Sequence, residues 1–126
     1  MNLRWLFIFI LGLTTYSNVA AQNEKQMVRL AKLVIDSAQL ASYNTLLKEE
    51  IEASVKKEPG VLTLYAVAKK NKPTHITILE IYASDEAYQK HIQTPHFLKY
   101  KNGTKGMVKS LELIEATPLI PSMKIK

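Results

Sequence analysis

The segment from Glu80 to Tyr100, EIYASDEAYQKHIQTPHFLKY, holds the residues best suited to chemistry. Glu80 lies in an otherwise apolar stretch, two residues before Tyr82, and burying an unpaired carboxylate is costly. His91 and His96 follow in a helical region, so either could pair with Glu80. A carboxylate and an imidazole that face one pocket can act as a general acid–base pair. The alternative is a structural pair that only orients the second helix.

Metal coordination is a less favoured use of the same side chains. Nitrogen and oxygen ligands are available from His75, His91, His96 and Glu80. However, His91 and His96 are five residues apart with Pro95 between them, which is not the one-turn spacing that places two ligands on one helix face. We therefore expect no metal site.

Aromatic side chains concentrate in the same part of the chain, and a pocket that they line would suit a flat, conjugated small molecule. Ordinary core packing is the alternative for each of them. The residues in question are Tyr65, Tyr82, Tyr88, Phe97 and Tyr100.

Composition excludes several other classes of site. The 126 residues contain no cysteine, so disulfides, thiolate metal sites and cysteine nucleophiles are ruled out. The four glycines form neither a G-x-G-x-x-G nor a P-loop pattern, and we expect no nucleotide cofactor. The net charge of +6 comes mostly from dispersed lysines, with Arg29 the only arginine after residue 21, so we do not expect nucleic-acid binding.

The first 21 residues have the layout of a secretory signal peptide. Arg4 precedes an apolar run over residues 5–13, and the segment ends in Val-Ala-Ala. We expect cleavage after Ala21, a mature chain of residues 22–126 in the periplasm, and no stable membrane insertion after cleavage. The apolar run is short for a membrane span, but a retained N-terminal anchor remains the alternative.

Hydrophobic periodicity and capping residues predict an α+β domain. The expected order is strand–helix–strand–strand–helix–strand, which is the ferredoxin-like βαββαβ arrangement of a four-stranded antiparallel sheet with helices on one face. The predicted strands cover 27–36, 61–69, 75–83 and 109–117, and the predicted helices cover 37–57, 84–93 and 94–103.

The first strand is apolar on both faces, which bears on assembly. Val28 and Leu30 point to one side, and Ala31 and Leu33 point to the other. Two helices can cover only one face, so the second face needs another partner. A second copy of the chain is the simplest solution, and we expect a homodimer.

Residues 27–118 resemble the antibiotic biosynthesis monooxygenase domain, in particular its quinol monooxygenase type. The resemblance is carried by three segments: EPGVLTLYAV (58–67), ILEIYASDEAYQKH (78–91) and TPHFLKY (94–100). The positions that match the family pattern are Glu58, Gly60, Glu80, Tyr82, Ala87, His91, His96 and Phe97.

This resemblance implies a dimeric α+β barrel and oxygenation of a small aromatic or quinol-like molecule by dioxygen, without metal, flavin or haem. It implies that His91 or His96 handles the proton while Glu80 orients the histidine. Tyr82 and Phe97 would flank the substrate ring, and we add Tyr65 as a third substrate contact.

Two departures from the family pattern matter. Position 82 is tyrosine where relatives often have tryptophan, and the first strand lacks the asparagine of the haem-degrading branch, so haem degradation is disfavoured. The same fold hosts other functions. A non-catalytic dimeric protein that binds a small ligand, or an isomerase or lyase on this scaffold, therefore stays open as an alternative.

Overall fold

The structure is a computed structural model and describes residues 25–122. Its elements follow the predicted order, with the second helical region divided into two helices. The predicted signal peptide, residues 1–21, lies outside the described residues. The elements are β1 (Met27–Ile35), a 3₁₀ turn (Ser37–Gln39), α1 (Leu40–Lys57), β2 (Val61–Lys69), β3 (Lys72–Tyr82), α2 (Asp85–His91), α3 (Pro95–Thr104) and β4 (Val108–Ala116).

The four strands form one antiparallel sheet in the order β2-β3-β1-β4. This confirms the predicted ferredoxin-like α+β fold. In the centre of the sheet Arg29 of β1 lies opposite Glu80 of β3 and also opposite Glu115 of β4. The register therefore brings the only arginine beyond residue 21 next to the carboxylate that the sequence singled out.

The β2–β3 hairpin is tighter than predicted. The sequence suggested a loop over 70–74, but Lys69 pairs with Lys72 and only two residues form the turn. Pro73 can lie inside β3 because the pairing of β3 with β1 begins at His75, so the missing proline N–H removes no bond to β1.

Polar side chains begin the helices where the sequence predicted them. Asp36 accepts a hydrogen bond from the backbone N of Ala38 at 3.2 Å, although a 3₁₀ turn precedes α1. Ser84 caps α2, and Thr94 caps α3 with Pro95 in its first turn. The predicted helix to residue 93 ends earlier, at His91.

The hydrophobic core lies between the helices and one face of the sheet, which we call the inner face. Ala31, Leu33 and Ile78 of the central strands pack there against Tyr43 and Leu47 of α1. These residues are all buried. For the strand residues this is expected, because alternate side chains of a strand point to the face that the helices cover. The inner face therefore fixes the positions of the helices over the sheet.

The opposite side, the outer face, carries the other alternate residues of the strands. On β2 it includes Tyr65, which is 66% exposed, and Val67, which is 50% exposed. No helix within residues 25–122 is long and apolar enough to span a membrane.

Candidate active site

A cavity of about 380 Å³ lies between the inner face of the sheet and the three α-helices. Its floor is apolar, with Ala31, Leu33 and Ile78 contributed by the central strands. Leu111 and Leu113 of β4 also line it, and both are more than half exposed. The aromatic part of the lining consists of Tyr82, Tyr88, Phe97 and Tyr100.

Glu80 lies in the cavity wall and is held by Tyr82. The Tyr82 hydroxyl donates a hydrogen bond of 2.7 Å to Oε1 of Glu80. Burial raises the pKa of Glu80 above its usual value, although this hydrogen bond and the positive charge of Arg29 oppose the effect. Burial and the nearby Glu80 carboxylate likewise raise the pKa of the Tyr82 phenol.

The predicted pairing of Glu80 with a histidine is wrong. Within residues 25–122, no hydrogen bond joins Glu80 to His91 or His96, and its partner is instead the tyrosine two positions later in the same strand. The physical reason is the strand period of two, which places Glu80 and Tyr82 on the same face and within reach of each other.

Arg29 of β1 lines the same cavity and makes three contacts there. One guanidinium nitrogen donates to the Tyr88 hydroxyl at 2.8 Å, and another lies 2.7 Å from a carboxylate oxygen of Glu115. The guanidinium carbon also lies 4.6 Å from the centre of the Tyr88 ring. These contacts hold a positive charge against the cavity wall.

His91 is buried in the wall, with 2% of its side chain exposed, and lies between two carboxyl groups. Its Nδ1 is 2.9 Å from Oε2 of Glu58, and its Nε2 is 3.3 Å from Oε1 of Glu50. Ser54 donates a hydrogen bond of 2.8 Å to the same Glu50 oxygen. Burial raises the pKa of Glu50, against the opposing effects of Ser54 and His91.

His96 contacts the carboxylate of Glu58, as His91 does. Its Nε2 lies 2.7 Å from Oε2 of Glu58, the oxygen that also contacts His91. Burial alone would raise the pKa of Glu58, but the hydrogen bonds from His96 and His91 outweigh it and hold the pKa below its usual value. His91 lines the cavity, whereas His96 and Glu58 are not part of its lining.

The end of α2 explains why the two histidines meet. After His91 the chain turns, and the backbone N and side-chain Oγ1 of Thr94 both donate to the His91 carbonyl. Pro95 then begins α3, so His96 lies on a new helix instead of further along α2. The five-residue spacing is not that of two ligands on one helix face, and the two histidines instead meet because each lies at the end of a different helix.

The histidine cluster also has the composition of a metal site. One ligand atom each from Glu58, His91 and His96 lies within 4.8 Å of the others. Two imidazoles and one carboxylate suit a divalent transition metal. In the arrangement described here, one carboxylate oxygen already accepts from both imidazoles, so the cluster is satisfied by its own hydrogen bonds.

Comparison with known proteins places the chain in a family. The family model described as antibiotic biosynthesis monooxygenase matches residues 27–103. The chain belongs to this family. A comparison with curated proteins gives no match.

Solved structures of monooxygenase-family proteins share the fold. A proposed antibiotic biosynthesis monooxygenase from Bacteroides thetaiotaomicron is 62% identical, with a TM-score of 0.80, over 81% of this chain and 97% of that chain. A proposed monooxygenase from Lactobacillus acidophilus is 31% identical, with a TM-score of 0.70, over 75% of this chain and 48% of that chain. A further proposed family member, from Nitrosomonas europaea, is 16% identical with a TM-score of 0.73, over 79% of this chain and 96% of that chain, and shows the fold alone.

The structure brings some of the predicted residues of this monooxygenase-family chain together and separates others. Glu80, Tyr82, His91 and Phe97 line one cavity. Tyr65, predicted to contact substrate, does not line it and instead lies on the outer face, because it occupies the alternate set of positions on β2.

Sequence reasoning missed three polar residues of this site. Glu58 belonged to the family-like segment but received no role. Glu50 falls on the apolar face of α1, three residues after Leu47, and a carboxylate at such a position is a signal for a buried partner. Arg29 was considered only as a possible nucleic-acid contact, although a single arginine in an apolar strand is a comparable signal.

Proposed function

We propose that this family member oxidises a small aromatic or quinol-type molecule with dioxygen. The observation that supports this is the cavity of about 380 Å³, whose aromatic and apolar lining also contains carboxyl and imidazole groups. Such a site suits a flat ring whose hydroxyl group must lose a proton before it reacts.

The proposed reaction needs no external reductant. A quinol can supply four electrons to dioxygen, with one oxygen atom entering the ring and the other leaving as water. We therefore propose that the protein works without a cofactor, as the family resemblance implies. Its task is to bind the ring, accept a proton and stabilise the resulting anion.

The geometry suggests a role for each group at the cavity. Tyr82 and Phe97 contact the ring of the substrate. Their own rings lie 5.3 and 5.0 Å from the imidazole of His91, centre to centre, so a substrate beside His91 lies next to both of them. His91, Glu80 and Glu50 are the proton-handling groups that line the cavity, and Arg29 faces the anion. His96 does not line the cavity, and it affects His91 through the carboxylate of Glu58 that both histidines contact.

Oxygen uptake with a panel of substituted hydroquinones tests this function. We expect uptake above the enzyme-free background for at least one quinol, and one atom of ¹⁸O from ¹⁸O₂ in the product. His91→Ala should abolish this uptake, and His75→Ala is the matched control because His75 lies on the opposite face of the sheet.

Two results would contradict the proposal. One is an absence of uptake across the whole panel, and the other is equal uptake by the wild type and the His91→Ala variant. A ligand that raises the melting temperature without turnover would favour the binding-protein alternative.

We also propose that the protein is exported to the periplasm, on the basis of the signal-like pattern of residues 1–21. Expression of the full chain in a bacterial host tests this. The intact mass of the periplasmic protein should match a chain that begins at Gln22, and a protein that keeps residues 1–21 would contradict cleavage.

A further inference from the structure

We propose that Glu58 is a positioning residue that holds His91 in the Nδ1–H tautomer, so that Nε2 is the atom that accepts a proton from a bound ligand. The transfer of a ligand proton to Nε2 rests on the proposed function. The tautomer of His91 does not rest on it and can be measured without any substrate.

Glu58 contacts both histidines of the cluster through one carboxylate oxygen. Its Oε2 lies 2.9 Å from Nδ1 of His91 and 2.7 Å from Nε2 of His96. An ionised carboxylate can only accept hydrogen bonds. Both of these imidazole nitrogens must therefore carry hydrogen, and His91 is fixed with its proton on Nδ1.

The other nitrogen of His91, Nε2, then has a lone pair and no hydrogen. A neutral imidazole carries hydrogen on one nitrogen and a lone pair on the other, so a proton on Nδ1 leaves Nε2 as the acceptor. Nε2 lies on the side of Glu50, 3.3 Å from its Oε1, and both residues line the cavity. Nε2 thus lies beside Glu50, which lines the cavity, and Nδ1 lies beside Glu58, which does not.

The proposed step is a simple proton transfer. The O–H bond of a bound quinol breaks, its proton moves to Nε2 of His91, and the ligand keeps the electron pair as an anion. The new imidazolium lies between the carboxyl groups of Glu58 and Glu50, which stabilise its charge. A carboxylate that orients an imidazole in this way is the arrangement found in Ser-His-Asp triads.

The groups around His91 come from every element packed against it. Glu50 faces it from α1, Glu58 from the segment before β2, and Tyr82 from β3. His96 and Phe97 face it from α3. Because the side chain is 2% exposed, water screens these interactions little.

Nitrogen-15 NMR of the histidine rings tests the tautomer directly. In the wild type at a pH where His91 is neutral, we expect its Nε2 to be unprotonated. Glu58→Gln keeps an acceptor oxygen and should retain this tautomer, whereas Glu58→Leu offers no acceptor and should lose it. His75, which no part of the cluster contacts, is the internal reference in each spectrum.

A wild-type spectrum with His91 protonated on Nε2 would overturn the proposal. So would a folded Glu58→Leu variant that keeps the wild-type tautomer. If Glu58→Leu does not fold, the wild-type spectrum alone still tests the proposal, because hydrogen on Nε2 and none on Nδ1 would overturn it.

A kinetic measurement separates positioning from a structural role. For a quinol that the wild type turns over, Glu58→Leu should lower kcat about 100-fold with KM unchanged, the low end for loss of general base catalysis. Glu58→Gln removes the negative charge beside His91, so the acidic limb of the kcat/KM profile should move to lower pH. If Glu58→Gln only lowers the melting temperature and leaves the acidic limb of the kcat/KM profile at its wild-type pH, the positioning role is contradicted. Failure of all turnover would count against the proposed function and leave the NMR result valid.

Discussion

Two carboxyl groups in the cavity wall, Glu50 and Glu80, have different partners. Glu50 accepts from Ser54 and lies beside His91, whereas Glu80 accepts from Tyr82 and lies across from Arg29 in the sheet. Burial raises the pKa of both. Each carboxyl therefore favours its protonated form more than an exposed glutamate does, which suits groups that exchange protons with a ligand.

At the residue scale, Tyr82→Phe should reduce stability. It removes the donor to Glu80 and leaves a half-buried carboxyl without that partner, which we expect to cost about 1–3 kcal/mol in the free energy of unfolding. Urea denaturation measures this cost. Tyr65→Phe is the matched control, because Tyr65 is exposed on the outer face and should change stability by less than about 0.5 kcal/mol. Equal effects of the two substitutions would contradict this account of Glu80.

A second prediction at this scale concerns pH. The pKa of Glu58 is lower in the folded protein than its ordinary value of 4.5. The ionised side chain therefore stabilises the fold above that pH, and the contribution is lost as the pH falls towards the folded-state pKa. Glu58→Gln should destabilise the protein near neutral pH, with a difference from the wild type that narrows below pH 4.5.

Glu52→Gln provides the control for this pH series, because it makes the same charge change at an exposed position whose partner is Lys48, 3.8 Å away. Its effect on stability should be small near neutral pH. A wild-type minus Glu58→Gln difference that stays constant or widens on acidification would be incompatible with the predicted linkage.

At the element scale, the site depends on where α1, β2, α2 and α3 begin and end. Glu58 follows the last residue of α1, and His91 is the last residue of α2. Gly60 lies in the turn before β2 and packs so closely on α2 that an added Cβ would come 2.6 Å from the Cβ of Ala87. This close approach keeps Glu58 within reach of the histidines.

Gly60→Ala should therefore push α2 away from the turn. We expect a loss of about 1–3 kcal/mol in the free energy of unfolding, as for other overpacked sites. Gly106→Ala is the matched control, since within the part of the chain that the structure describes nothing lies within 4 Å of an added Cβ there. Thermal and urea unfolding of both variants measure the effect, and similar stabilities would show that the turn can relax without cost.

At the scale of the whole molecule, the outer face of the sheet predicts a homodimer. Val28 is buried, but Tyr65 and Val67 on the same face are at least half exposed in the single chain. A second copy placed sheet on sheet would remove this apolar area from water. The proposed dimer leaves the cavity, on the inner face, within each subunit.

Light scattering of the purified protein should give twice the mass of one chain. Val67→Asp should shift the equilibrium towards monomer, because it introduces a charge into the proposed interface. Val55→Asp is the control, because Val55 is as exposed as Val67 (52% against 50%) but lies on α1 and not on the outer face of the sheet. A wild-type monomer, or the same response from both variants, would contradict the dimer.

The fold could be predicted from the sequence because its signals are local. The signals are the mostly apolar, β-prone stretches 27–36 and 61–69, the helical spacing through residues 37–57, and the caps at Ser84 and Thr94, which depend only on neighbours along the chain. The predicted hairpin loop over 70–74 is too long, because a proline is typical of turns, whereas Pro73 lies in β3 before the pairing of β3 with β1 begins at His75. The element order alone then limits the sheet to very few topologies.

The site could be predicted only in part. Residue types and the family resemblance were enough to single out Glu80, Tyr82, His91 and Phe97, which do line one cavity. The partners within the cluster were decided by the tertiary structure. Glu58 is 33 residues from His91 along the chain, and the two meet because a turn and a helix end pack together. Contacts of this kind depend on distances across the core, and periodicity and composition carry no information about them.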